Sequence, residues 1–80
     1  MDKITIVGMG LIGSSLGMAL KKAQVQATIV GTDRDRVIAS EARKMGATDT
    51  TENNPIQAIK GAKLIIIATP VGAIQELMKL

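Results

Sequence analysis

The sequence predicts an α/β fold: part of a doubly wound parallel sheet, with about four strands in the order 3-2-1-4 and helices on both faces. Three observations carry that expectation. Strand-like and helix-like segments alternate along all 80 residues. The apolar runs Ile4–Val7 and Leu64–Ala68 lack the polar alternation of a half-exposed sheet, as expected for parallel strands covered on both sides. A glycine-rich turn, Gly8-Met9-Gly10-Leu11-Ile12-Gly13, joins the first strand to the first helix. That junction is where a G-x-G-x-x-G fingerprint has a physical meaning.

The elements follow in order. Lys3–Val7 reads as the first strand and Leu11–Lys22 as the first helix. Ile12, Leu16, Ala19 and Leu20 share one face of that helix, and Gly17 in its interior costs up to about 1 kcal/mol relative to Ala unless close packing requires it. Ala27–Thr32 is a β-branched second strand. The second helix spans Arg36–Lys44, with Val37, Ile38, Ala42 and Met45 as its buried stripe and Gly46 as its C-terminal cap. Ala47–Thr51 reads as a short third strand. Asn54-Pro55 caps and opens a short helix to Ile59, ended by Gly61. Leu64–Ala68 is the fourth strand, and a last helix is expected from Val71 or Gly72 to Leu80. Right-handed crossovers fix the strand order. The sequence stops inside an apolar-periodic segment, so the expectation is a fragment of a longer protein, with strand four left as an edge.

Composition excludes several functions. There is no cysteine, hence no disulfide framework or Cys-based metal site. There is no histidine, the commonest general acid/base and transition-metal ligand. No catalytic residue and no metal site is expected. Without Phe, Tyr or Trp there is no platform for stacking nucleic-acid bases. The net charge of +3 comes from ten basic and seven acidic residues. Lys21-Lys22, Arg34, Arg36, Arg43-Lys44, Lys60 and Lys63 are scattered over the chain, the pattern of a solvated surface rather than a nucleic-acid patch. No apolar segment reaches the roughly 18 residues of a membrane span, and Asp2-Lys3 before a short apolar run is no signal peptide. A soluble cytoplasmic protein is expected. The five methionines read as core filling. Asp49, Glu52 and Glu76 have no visible acid/base partner.

The chemistry lies in the glycine turn and what faces it. Gly8 permits the tight turn, Gly10 lets a pyrophosphate approach the backbone, and Gly13 brings helix and strand together. The amides at Leu11 and Ile12 open a helix whose dipole favours the phosphates. Asp33 follows strand two, twenty positions after Gly13, where a carboxylate accepts hydrogen bonds from the adenosine ribose. It favours NAD. Arg34 beside it keeps NADP open, since a guanidinium pairs with a 2′-phosphate or stacks on adenine. The plainer reading of Asp33-Arg34-Asp35-Arg36 is a solvated helix start, which accounts for Asp35 better than for Asp33. Thr69, Pro70 and Val71 follow strand four, beside the switch point where ligands bind in open parallel sheets. A simple strand-ending turn is the alternative there. Ser14 and Ser15, in the first helical turn, suit a phosphate contact and a structural hydroxyl equally.

These residues carry a family resemblance. Ile4-Thr5-Ile6-Val7-Gly8-Met9-Gly10-Leu11-Ile12-Gly13-Ser14-Ser15-Leu16-Gly17 resembles the opening of prephenate and arogenate dehydrogenases. Gly31-Thr32-Asp33-Arg34, Ala42 to Gly46, and Ala62-Lys63-Leu64-Ile65-Ile66-Ile67-Ala68-Thr69-Pro70-Val71 match the same cadence. The resemblance implies oxidative decarboxylation of a cyclohexadienyl substrate in tyrosine biosynthesis, within aromatic amino acid biosynthesis, by hydride transfer to NAD(P). It further implies that residues 1–80 form the amino-terminal part of the dinucleotide-binding domain. The catalytic histidine, the substrate residues and the helical dimerisation domain of a homodimer would then lie beyond Leu80, so these residues alone would be inactive. Prephenate and arogenate both remain open as substrate. A β-hydroxyacid or imine reductase, a non-catalytic nucleotide-sensing module and a bare structural α/β piece are the competing readings.

Overall fold

The computed structural model describes residues 2–69. The expected final helix, with Pro70, Val71 and Glu76, lies outside the described residues. Within them the chain runs β1 (Asp2–Val7), α1 (Leu11–Lys22), β2 (Ala27–Thr32), α2 (Arg36–Lys44), β3 (Thr50–Thr51), α3 (Pro55–Ile59) and β4 (Leu64–Ile67). The sheet has four strands in the order β3-β2-β1-β4, and each pairing is parallel. The expected architecture is therefore present. β1 is central, with Ile4 opposite Ile29 on one side and Leu64 on the other.

Side chains alternate across β1, so its two faces meet different helices. Ile4 and Ile6 join Met9, Ile29, Ala42 and Ala47 in the buried core, with Leu20 packed against it; this is the face of α1 and α2. Thr5 points the other way, and its Oγ1 donates to the Ala58 carbonyl of α3 at 2.6 Å. A hydroxyl on a fully buried strand position is thus satisfied by a helix carbonyl rather than left orphaned.

The helix ends follow the sequence. Asp35 caps α2 by accepting from the Val37 and Ile38 amides, and Asn54 caps α3 by accepting from those of Ile56 and Gln57. Gly46 adopts φ +86° just past α2, the left-handed cap expected there. Asp35 is therefore a structural residue of the helix start.

Several expectations about packing and strand bounds are corrected. The contact face of α1 is Gly13, Ser14 and Gly17; Ile12, Leu16 and Ala19 are exposed, and of the expected stripe Leu20 alone is partly buried. Small residues win because the helix approaches almost backbone to backbone: a Cβ on Gly17 would stand 2.2 Å from the Ala47 carbonyl oxygen. On α2 the buried residues are Ala39 and Ala42, while Val37, Ile38 and Met45 are exposed. Met9 is buried, but Met18 and Met45 are exposed, so the methionines are not uniformly core filling. Finally, β3 is limited to Thr50–Thr51. Ala47 is spent against Gly17, and Asp49 turns its side chain to the Ile29 amide. β4 ends at Ile67, one residue short of expectation, and pairs with β1 alone among the described residues. Its Leu64, Ile65 and Ile67 are well exposed, as for an edge strand.

Candidate functional site: the carboxyl ends of the strands

The glycine turn sits at the carboxyl end of β1, clamped between its neighbours. The Gly8 amide donates to the Thr32 carbonyl at 2.8 Å, and the Ala68 amide donates to the Val7 carbonyl at 2.8 Å. Gly8 has φ +98°, and a Cβ there would stand 2.5 Å from the Thr69 methyl and 3.0 Å from the Ala68 carbonyl carbon. Conformation and space both demand glycine. A Cβ on Gly13 would fall 1.8 Å from the Gly8 carbonyl oxygen, so the helix start is pressed against the turn. Gly10 differs: nothing lies within 4 Å of where its Cβ would be. Its missing side chain leaves open room beside the backbone, which suits the approach of a ligand.

The start of α1 has donors to spare. Gly10 is its N-cap, with no side-chain capping bond, and no acidic residue lies in the first turn. The first amides of a helix lack intrahelical partners, and here no acidic side chain of the helix's own first turn competes for the positive end of the dipole. Leu11 is 86% exposed and Ile12 67%; apolar side chains so exposed contribute nothing to the described core. Ser14 is resolved as structural: its hydroxyl donates to the Met9 carbonyl at 2.9 Å and is buried. Ser15 is exposed.

Asp33 lies at the carboxyl end of β2, beside the turn. Its Oδ2 accepts from the Met9 amide at 2.6 Å, and its Oδ1 accepts from the Asp35 amide at 2.9 Å. Two backbone donors from separate segments hold the carboxylate in one orientation. Each carboxylate oxygen can accept more than one hydrogen bond, so capacity remains for a diol. Arg34 is exposed and lines the same cleft of about 90 Å³ as Val7, Gly8, Thr32, Asp33 and Thr69. The Thr69 Oγ1 is buried without a hydrogen-bond partner among the described residues. Such an orphan is uncommon, and the Thr48 Oγ1 is another.

Asn53 and Pro55, from the connection between β3 and α3, also line this cleft. Sequence reasoning missed them as site residues. Their signal was the strand order: the loop after β3 opens at the same end of the sheet as Asp33. Pro70 and Val71 lie outside the described residues. Among the described residues no cluster of acidic or other ligating side chains could hold a metal ion.

Asp49, without a visible partner in the sequence, proves to be a tie at the opposite end of the sheet. Its Oδ2 accepts from the Ile29 amide at 2.7 Å, and its Oδ1 pairs with Lys21 Nζ at the end of α1. The Ile29 amide first, and then Lys21, hold its carboxyl below the usual range against a smaller opposing effect of burial.

Comparison with known proteins agrees with this arrangement. Residues 16–80 match the family model described as prephenate dehydrogenase, nucleotide-binding domain. A prephenate dehydrogenase of Lactococcus lactis subsp. cremoris is 40% identical over 82 residues, covering 99% of this chain and 22% of the relative. One from Bacillus subtilis is 40% identical over 70 residues, covering 88% of this chain and 19% of the relative. The chain thus spans about a fifth of the length of these relatives. Among solved structures, prephenate dehydrogenase from A. aeolicus, in complex with hydroxyphenyl propionate and NAD+, superposes with a TM-score of 0.87 at 24% identity, over 99% of this chain and 28% of that one. That likeness shows a shared fold. With the family model matched over most of its length, this chain belongs to the prephenate dehydrogenase family, in the region of the nucleotide-binding domain.

Proposed function

We propose that the chain binds the dinucleotide cofactor of a prephenate or arogenate dehydrogenase, with NAD as the favoured cofactor, and forms the amino-terminal part of that enzyme's dinucleotide-binding domain. The observation that carries this is Asp33, held by the Met9 amide at 2.6 Å so that the carboxylate and the glycine turn form one rigid unit. The residues fit the group. Gly10 is open on its side-chain side, the first turn of α1 offers amides without a side-chain cap, and the Thr69 hydroxyl has no partner among the described residues.

In this reading Leu11, Ile12 and Gly13 donate backbone amides to the pyrophosphate. Asp33 accepts from the ribose hydroxyls and repels a 2′-phosphate. Thr69, with Pro70 and Val71 after it, borders the cofactor at the end of β4. When bound, the nicotinamide supplies the hydride acceptor, and the protein's part is to place and orient it. The cyclohexadienyl substrate, the proton-handling groups and a homodimer belong to the whole enzyme. The A. aeolicus relative's complex with NAD+ and hydroxyphenyl propionate supports extending the same ligand classes to this chain. Arg34 in the Asp33 cleft favours a secondary capacity for NADP. Among the described residues no helix is long and apolar enough to cross a membrane, which supports a cytoplasmic location.

The test is Asp33→Ala in the intact protein, titrated with NAD and NADP. Removing two charge-assisted bonds should weaken NAD roughly 10- to 100-fold while sparing or improving NADP. Equal loss of both cofactors contradicts the ribose role.

A further inference from the structure

Three strand ends in a row face the candidate cofactor site: Gly8 after β1, Asp33 after β2 and, beyond β3, the connection Glu52-Asn53-Asn54. Neighbouring strands lie about 4.8 Å apart, so this row steps outward in increments the size of one chemical group. A dinucleotide's adenosine half has the same linear order of phosphate, ribose and base. If the phosphates lie at the β1 end and the ribose at Asp33, the base falls at the β3 end. Asn53 stands there, in the cleft that Asp33 and Arg34 also line.

The loop around Asn53 is fixed on both sides. The Glu52 amide donates to the Gly31 carbonyl at 3.0 Å. The Glu52 carboxylate accepts from the Asn54 amide at 3.2 Å, and Asn54 spends its side-chain oxygen on the Ile56 and Gln57 amides. Asn53 lies between these two committed residues, exposed, and no described contact uses its carboxamide. A carboxamide carries a donor and an acceptor side by side. Adenine presents the complementary pair, its 6-amino donor beside a ring-nitrogen acceptor, and Asn meets that edge bidentately in nucleic-acid recognition. Pro55, on the same wall, adds an apolar surface against which a base can lie.

We propose that Asn53 is a specificity-determining residue that reads the 6-amino edge of the cofactor's adenine. Asn53 has this role only if the chain binds a dinucleotide, as proposed above. A free adenine nucleotide offers the same edge, and the adenosine half alone should therefore feel the residue as well.

The test compares NAD with its 1,N6-etheno analogue, whose base has no free 6-amino group, on the intact protein and on Asn53→Ala. The wild type should bind NAD roughly tenfold more tightly than the etheno analogue, the difference expected for one or two hydrogen bonds. In Asn53→Ala that preference should vanish, through weaker NAD binding with the etheno affinity unchanged. AMP should show the same loss. An unchanged thermal midpoint separates this from misfolding, and Asn53→Leu, which keeps the size but neither the donor nor the acceptor, should behave like the alanine variant. A preference that survives in Asn53→Ala, or an equal loss for both dinucleotides, overturns the role of Asn53 while leaving the cofactor site standing. A wild type that binds neither dinucleotide overturns the cofactor site, and the base-reading role with it.

Discussion

Asp33 and Asp49 are the same residue type at opposite ends of one sheet, and they are held differently. Each accepts a hydrogen bond from a backbone amide of a neighbouring segment, Met9 at 2.6 Å for Asp33 and Ile29 at 2.7 Å for Asp49. The second oxygen separates them. Asp49 pairs with Lys21, so charge and geometry close on themselves, and the result is a staple between α1, β2 and the approach to β3. Asp33 turns its second oxygen to the Asp35 amide and lies in a cleft with Gly8 and Thr69. A carboxylate held by backbone amides, with lone pairs to spare, is preorganised for a ligand. One closed by a cation is structural.

Each aspartate has its own glycine on α1. Gly13 presses the helix against Gly8 beside Asp33, and Gly17 presses it against Ala47 beside Asp49. The largest effect should come from Gly13→Ala, whose Cβ would stand 1.8 Å from a backbone oxygen. Backbone must move, and we expect a loss of about 3 kcal/mol or more, read by denaturant unfolding. In the fraction still folded, cofactor affinity should fall as well. Gly17→Ala, with its 2.2 Å clash against the Ala47 carbonyl, should destabilise comparably but leave affinity intact in the folded fraction. If both variants lose affinity alike, the two ends are not independent.

Asp49→Ala comes next. It leaves the buried Ile29 amide without its partner, which costs about 1–3 kcal/mol. The Lys21 pair adds little, because both side chains are partly exposed and such pairs contribute up to about 1 kcal/mol; Lys21→Met should show that smaller loss. The Asp49 carboxyl has a folded pKa below its ordinary 3.8. It therefore stabilises the fold above the unfolded value, and that contribution fades as pH falls through the lower folded value. The stability gap between wild type and Asp49→Asn should be constant near neutrality and shrink below about pH 4. A gap that widens in acid would mean that the carboxyl titrates in the opposite sense.

The smallest effect on stability belongs to Thr69→Val. Its buried hydroxyl has no partner among the described residues, so an isosteric apolar side chain should leave the unfolding midpoint unchanged or slightly raised. Cofactor affinity should nevertheless fall several-fold. Unchanged affinity would make the end of β4 a plain strand-ending turn.

The strand order and the glycine turn were legible because they depend on local alternation and on residues with few substitutes. Asn54 was legible as a cap for the same reason, and Asp35 as part of a helix start, its capping role coming only with the structure. The helix faces were not. An apolar stripe such as Ile12, Leu16 and Ala19 looks like a buried face, yet α1 packs through Gly13, Ser14 and Gly17. Contact distance decided the matter, and periodicity of apolar residues does not register a glycine that is buried because it is small. Ala39 and Ala42 on α2 repeat the lesson. In the site, Asp33 could be placed by spacing from Gly13. Asn53 and Pro55 were missed although the expected strand order already sets β3 beside β2: no local motif marks them, and only the fold shows that they line the same cleft as Asp33. The Asp49–Lys21 pair likewise joins residues 28 positions apart, a contact that no local pattern encodes.

One pair of variants tests the central claim most directly: Asp33→Ala and Asp49→Ala in the intact protein, each measured for unfolding free energy and for NAD affinity. Asp33→Ala should lose roughly 10- to 100-fold in NAD affinity in the folded protein, together with about 1–3 kcal/mol of stability from the unpaired Met9 amide. Asp49→Ala should lose stability with NAD affinity in the folded protein unchanged. The account is contradicted if Asp33→Ala binds NAD as the wild type does, or if both variants lose affinity only in proportion to the protein unfolded.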